Sequence, residues 1–187
     1  EKMAPDVGLV VSDSDASVAA VFTKNIVAAA PVVVDRQTLQ SSSEKARAVV
    51  ANSGNANACT GDEGLRNARA MQRETAEQLS CDDDQVFVLS TGVIGHQLPM
   101  DKVLAGIEEA ARQLSRDGGH LAAEAIMTTD TLPKSLSAEV ATPDGTIYIG
   151  GMAKGSGMIH PNMATMLGLL TTDAKVTPEL FHELLGR

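Results

Sequence analysis

The chain has 187 residues, 43% of them hydrophobic and 21% charged, the balance of a soluble globular protein with enough apolar material for a sizeable core. Only 2% are aromatic and none is Trp, so Val, Ala, Leu, Ile and Met must fill that core, and nucleic-acid binding by base stacking is disfavoured. A formal net charge of −9 repels phosphate backbones and argues against a nucleic-acid partner.

Val7–Val11, Ala19–Phe22 and Pro31–Val34 are short apolar, β-branched runs between polar punctuation, the pattern of strands. Arg47–Ala51 is a further strand and runs into a polar loop, Asn52–Gly61. Asp62–Leu79 carries Leu65, Ala68, Met71, Thr75, Ala76 and Leu79 at helical spacing, with charge on the opposite face; this predicts a helix lying on a sheet. Gln85–Leu89 is a strand that feeds the loop Ser90–Leu98. Asp101 is the expected N-cap of the next helix, with Val103, Leu104, Ile107, Ala111 and Leu114 as its buried stripe. Gly118–Gly119 interrupts it, and a short helix follows over His120–Ile126. Ser135–Ala141 and Thr146–Gly150 flank Pro143-Asp144-Gly145, a hairpin turn. Thr177-Pro178-Glu179 starts a last helix, with Thr as cap and Pro at the first helical position. Helices and strands intermix without strict alternation, so the expected class is mixed α/β, or α+β layers, in a single domain portion.

Cys59 and Cys81 share no metal-ligand spacing and form no disulfide framework, which suits free thiols in a reducing, cytoplasmic compartment. No apolar run reaches the length of a membrane span, and no secretory signal follows Glu1. The histidines, His96, His120, His160 and His182, have no Asp or Ser partner by spacing, and no metal motif is present. Asp82-Asp83-Asp84 reads as a solvated helix-to-strand turn.

The run Lys154-Gly-Ser-Gly-Met-Ile-His-Pro-Asn-Met-Ala-Thr-Met-Leu-Gly168 carries the most chemistry. It places the hydroxyl of Thr165 directly after a small residue, Ala164, behind glycines that permit unusual backbone geometry. If the Ala164–Thr165 bond is cut, Thr165 gains a free α-amine, which titrates at roughly 7.7–8.0 and can take the proton of its own hydroxyl. Glycine content alone predicts only a loop, and Gly150–Gly157 matches neither the phosphate-loop pattern nor the dinucleotide fingerprint.

This run resembles the processing site of the ornithine acetyltransferases, or bifunctional glutamate N-acetyltransferases, of arginine biosynthesis. Ala51-Asn-Ser-Gly-Asn-Ala-Asn-Ala-Cys-Thr-Gly61, Ser90-Thr-Gly-Val-Ile-Gly95 and Ile126-Met-Thr-Thr-Asp-Thr131 with Pro133-Lys134 resemble further family segments, in the family's order. The resemblance covers nearly the whole chain. It implies the ornithine acetyltransferase-like fold, which shares catalytic logic but not topology with other N-terminal-nucleophile enzymes. Residues 1–164 correspond to the family's first (alpha) chain and 165–187 to the beginning of its second (beta) chain. The family has more residues before Val7, so a removed leader stays open.

The resemblance further implies roles. Thr165 would be the nucleophile, both in self-cleavage at Ala164–Thr165 and in acetyl transfer. Thr91 and Gly92 would form the oxyanion hole, where losing one donor costs about two to three orders of magnitude in rate. Thr128 and Lys154 would contact substrate, Lys154 as a point charge for a carboxylate. Taken on spacing alone, Thr91-Gly92 is a strand-to-loop turn, Thr128 a turn cap and Lys154 a solvated lysine. Apart from the resemblance, Asn52, Asn55 and Asn57 would orient backbone around the site, since Asn and Gly tolerate tight loops, and His160 would be loop structure, since the α-amine fills the role of base. The implied reaction moves an acetyl group from N-acetylornithine to glutamate with no metal or organic cofactor; acetyl-CoA is an additional donor in some members. The implied assembly is a heterotetramer of two alpha and two beta chains. Two alternatives stand beside it: a self-processing amidohydrolase or aminopeptidase, with water as acceptor, and an inactive fragment lacking the second chain.

Overall fold

The computed structural model describes residues 5–155 and 166–186. Among the described residues, two three-stranded sheets and five α-helices make up a mixed α/β fold. In the first sheet the order is β1 (Val7–Ser17), β2 (Lys45–Asn55), β3 (Val86–Val93). β1 runs antiparallel to β2, and β2 runs parallel to β3 with Val50 opposite Val88. A parallel pair needs a long crossover, and α2 (Gly61–Leu79) supplies it.

The helical spacing read from the sequence is what buries α2. Ala68, Met71, Thr75 and Ala76 are buried, as is Gln72, whose amide donates to the Val86 carbonyl at 2.8 Å and to Thr38 Oγ1 at 2.7 Å. Leu9, Ala48, Val50, Val86 and Val88 on one sheet face pack with Met71, Ala76, Val103 and Ile107 from α2 and α3 (Met100–Arg112). The opposite face takes α4 (Gly119–Ala125), which packs on β1 and β2 and also touches the second sheet.

That second sheet is an antiparallel meander of β4 (Lys134–Thr142), β5 (Gly145–Lys154) and β6 (Leu167–Thr172). The expected turn joins β4 to β5, with Thr142 opposite Gly145. The last helix, α5 (Pro178–Leu185), starts as expected: Thr177 Oγ1 accepts the Leu180 amide at 3.4 Å, and Pro178 sits in the first turn. Asp82-Asp83-Asp84 lies in the expected helix-to-strand turn: Asp82 caps the short 3-10 segment Asp83–Gln85, and a capping box pairs it with Gln85.

Several local expectations are corrected. Pro31–Val34 is not a strand but the first turn of α1 (Ala30–Ser41). A four-residue apolar run cannot separate strand from buried helix, and proline suits a first helical turn because its missing N–H would have no partner there. Ala19–Phe22 joins neither sheet; Phe22 instead lies under the Arg36 guanidinium, 5.5 Å from ring centroid to charge. Asp101 lies inside the first turn of α3, whose N-cap is Pro99, and there its charge still favours the helix dipole. Leu114 falls beyond that helix and is exposed. β2 and β3 both extend past their predicted ends, to Asn55 and Val93, because the two polar motifs continue the same parallel ladder.

Candidate active site

Three candidate residues from distant parts of the chain meet at one ammonium group. Lys154, the last residue of β5, is buried at 7% exposure. Its Nζ donates to Thr91 Oγ1 on β3 and to Thr128 Oγ1 beyond α4, both at 2.7 Å. An ammonium carries three donors, so among the described residues these bonds leave one for a further acceptor. Burial pulls the Lys154 ammonium below the usual lysine range, the Asp130 carboxylate works against that fall, and Lys134 adds to it.

Asp130 was not singled out from the sequence. Its side chain is 1% exposed and forms an ion pair with Lys134 Nζ at 2.5 Å. It also accepts the Gly155 amide at 3.0 Å and, more weakly, the Thr128 amide at 3.4 Å. Burial alone would push this carboxyl up; the Lys134 bond and the two amides outweigh it and hold it at about 2. The signal lay in the motif containing Thr128, where Asp130 and Lys134 stand four apart, but the Gly155 contact bridges 25 residues and has no local signature.

Gly92 follows Thr91 on β3 with φ +134. A Cβ there would sit 2.3 Å from the Gly54 carbonyl carbon and 2.5 Å from the Asn55 amide nitrogen. What glycine permits at this point is therefore the close approach of two strand ends. The asparagines hold the same region from the β2 side. Asn55 Nδ2 donates to the carbonyls of His96 and Gln97 at 3.0 and 3.1 Å, and Asn52 Nδ2 donates to the Asn55 carbonyl at 3.0 Å. Asn57, at φ +47 and fully buried, donates through Nδ2 to the Gly64 carbonyl at 2.9 Å and accepts from Thr60 Oγ1 at 2.8 Å. These bonds lock the loop after β2 to the loop after β3 and to the start of α2.

Thr91, Thr128 and Lys154 are thus one cluster, with Gly92 next to it in the chain. Ala164, Thr165 and His160 lie outside the described residues. Among the described residues no three His, Cys, Asp or Glu side chains gather as a metal site would require, and Cys59 and Cys81 are both free. Also among the described residues, no helix is long and apolar enough to cross a membrane.

Comparison with known proteins gives this geometry its setting. The family model described as "ArgJ family" matches residues 1–187. The chain is 54% identical over 180 residues to the arginine biosynthesis bifunctional protein ArgJ of Symbiobacterium thermophilum, covering 96% of this chain and 44% of that protein. It is 51% identical over 180 residues to the Thermotoga neapolitana protein of the same name, covering 96% of this chain and 45% of the relative. It therefore spans less than half the length of these relatives. Among solved structures, the arginine biosynthesis bifunctional protein of Bacillus halodurans matches with a TM-score of 0.78 at 43% identity, over 87% of this chain and 83% of that one. Ornithine acetyltransferase of Mycobacterium tuberculosis, solved in complex with ornithine, matches with a TM-score of 0.77 at 41% identity, over 87% of this chain and 84% of its own. With a family match along residues 1–187 and a shared fold, the chain belongs to the ArgJ family.

Proposed function

We propose that this chain carries the first part of an N-acetyltransferase of arginine biosynthesis, which moves an acetyl group from N-acetylornithine to glutamate through Thr165. The observation that supports it most is the buried Lys154 ammonium, held by the hydroxyls of Thr91 and Thr128 at the start of the run that leads to Thr165. A buried cation that keeps one donor unused among the described residues suits an anionic or polarised acyl substrate.

Two acyl transfers make up the scheme. In the first, Thr165 Oγ attacks the Ala164 carbonyl carbon; the peptide C–N bond breaks, an ester forms, and the nitrogen becomes a free amine. Water then hydrolyses that ester and releases the Ala164 carboxylate. In the second, Thr165 Oγ attacks the acetyl carbonyl of N-acetylornithine while the new α-amine takes the hydroxyl proton. The proton passes to the departing ornithine amine, leaving acetyl-Thr165. The glutamate amine attacks this ester, giving N-acetylglutamate and restoring the hydroxyl.

Thr91 and Gly92 are proposed to stabilise the oxyanion of both transfers, and Thr128 and Lys154 to hold the substrate. Thr165 supplies nucleophile and base together, so the scheme calls for no metal or organic cofactor; acetyl-CoA is a candidate second donor. Residues 1–164 would form the alpha chain and 165–187 begin the beta chain, in a cytoplasmic heterotetramer of two alpha and two beta chains.

Intact mass of the full-length protein tests the cleavage at Ala164–Thr165. Incubation with N-acetylornithine, with and without glutamate, tests the transfer: ornithine released equally fast without glutamate identifies a hydrolase instead. Thr165→Ala should abolish both processing and transfer; a processed, active Thr165→Ala protein would overturn the scheme.

A further inference from the structure

We propose that Asp130 is the positioning residue of this site: it tethers the Thr128 and Lys154–Gly155 segments to one another and so holds the Lys154 side chain between Thr91 and Thr128. The inference deepens the proposed function and rests on that assignment of Lys154, but its geometry stands independently. Asp130 draws three donors: the Thr128 amide two residues before it, Lys134 Nζ at the first residue of β4, and, from 25 residues away, the Gly155 amide directly after β5. Thr128 and Lys154 are therefore fixed by one buried carboxylate, Thr128 through its own amide and Lys154 through the next one. Gly155 adopts φ +148, a conformation that favours glycine, while its N–H reaches Asp130. That tether fixes the first peptide after Lys154, where the run towards Thr165 begins.

The electrostatics agree with the geometry. A buried lysine tends to lose its proton unless an anion stands near it. Asp130 is the anion that favours the charged form of Lys154, and Lys134 is the cation that opposes it. These two groups act on Lys154 with opposite signs while being each other's ion-pair partner. The opposition separates positioning from simple stabilisation. Asp130→Asn and Lys134→Met both break the same ion pair, so a merely structural role predicts similar effects from each. A positioning role predicts opposite effects on the protonation of Lys154.

The test follows the Lys154 side chain in the full-length protein by NMR after selective 13C labelling of lysine, with Lys154→Arg assigning the resonance. This readout needs no turnover. Asp130→Asn should lower the Lys154 midpoint, because the anion that favours the ammonium is gone. Lys134→Met, at a side chain 50% exposed, should raise it. The alkaline limb of kcat/KM for acetyl transfer should move in the same directions. An unmoved Lys154 midpoint in either variant, or a fall in Lys134→Met, would overturn the proposal. Should Asp130→Asn fail to fold, the Lys134→Met titration decides alone. If the midpoints move as expected but no variant and no wild-type protein transfers acetyl groups, the proposed function fails while the role of Asp130 in holding Lys154 survives.

Discussion

Asp35 gives the sharpest stability prediction. It sits on α1 at 4% exposure, and its Oδ1 accepts the Val88 amide at 2.8 Å. Among the described residues β3 is the edge of its sheet, so this bond satisfies an outward N–H that has no ladder partner there. Burial pushes the carboxyl up from 3.8 to about 8, against the smaller opposing effects of the Val88 N–H and the Arg69 charge. A raised acid pKa means that the folded chain binds more protons than the unfolded chain between those two pH values. Stability must then fall as pH rises through that window, by about 1.4 kcal/mol per pH unit from this group alone. Over the whole interval the limit is roughly 6 kcal/mol, reached only if no water enters as Asp35 ionises. Asp35→Asn keeps an oxygen acceptor for Val88 and removes the titration. Urea unfolding of wild type and variant at half-unit steps from pH 4 to 9 isolates the effect, since other groups titrate alike in both. The stability of Asp35→Asn relative to wild type should climb with pH up to about 8 and then level. A difference that stays constant from pH 4 to 9 would refute the assignment of a protonated, buried Asp35.

Asp130 carries the opposite sign. Its folded carboxyl is held at about 2 against 3.8 unfolded, so its stabilisation is present above pH 4 and is lost as pH falls towards 2. Wild type should lose about 2 kcal/mol relative to Asp130→Asn between pH 4 and 2, measured by acid and urea unfolding. Gly92→Ala forces a Cβ to 2.3 Å from the Gly54 carbonyl carbon at φ +134, and should cost about 3–5 kcal/mol in denaturant titration. A loss under 1 kcal/mol would mean that the strand ends yield freely. Lys154→Met removes the cation while leaving two hydroxyls without their donor, and should lower kcat/KM for N-acetylornithine by about a hundredfold or more in steady-state assays.

Much of the fold was legible because its signals are local. The periodicity of Leu65–Leu79 needs only the helical repeat, the Pro143–Gly145 turn only its turn residues, and the start of α5 only Thr177 and Pro178. Pro31–Val34 was misread because its few residues satisfy either period, and what decides is that α1 packs on β3 with Asp35 taking an amide from the strand edge. The site divides in the same way. Thr91, Gly92, Thr128 and Lys154 were named through ordered motifs and a family resemblance, which tell which residue types occur and in what order. Tertiary structure alone decided that one ammonium joins Thr91 to Thr128 across 63 and 26 residues of chain, and that Asp130 holds the peptide after it. A hydroxyl, an amine and a carboxylate carry no mark in sequence of which distant partner they will meet. That choice is made when the end of β5 meets β3 and α4 packs on β5, where burial favours polar groups that find a partner.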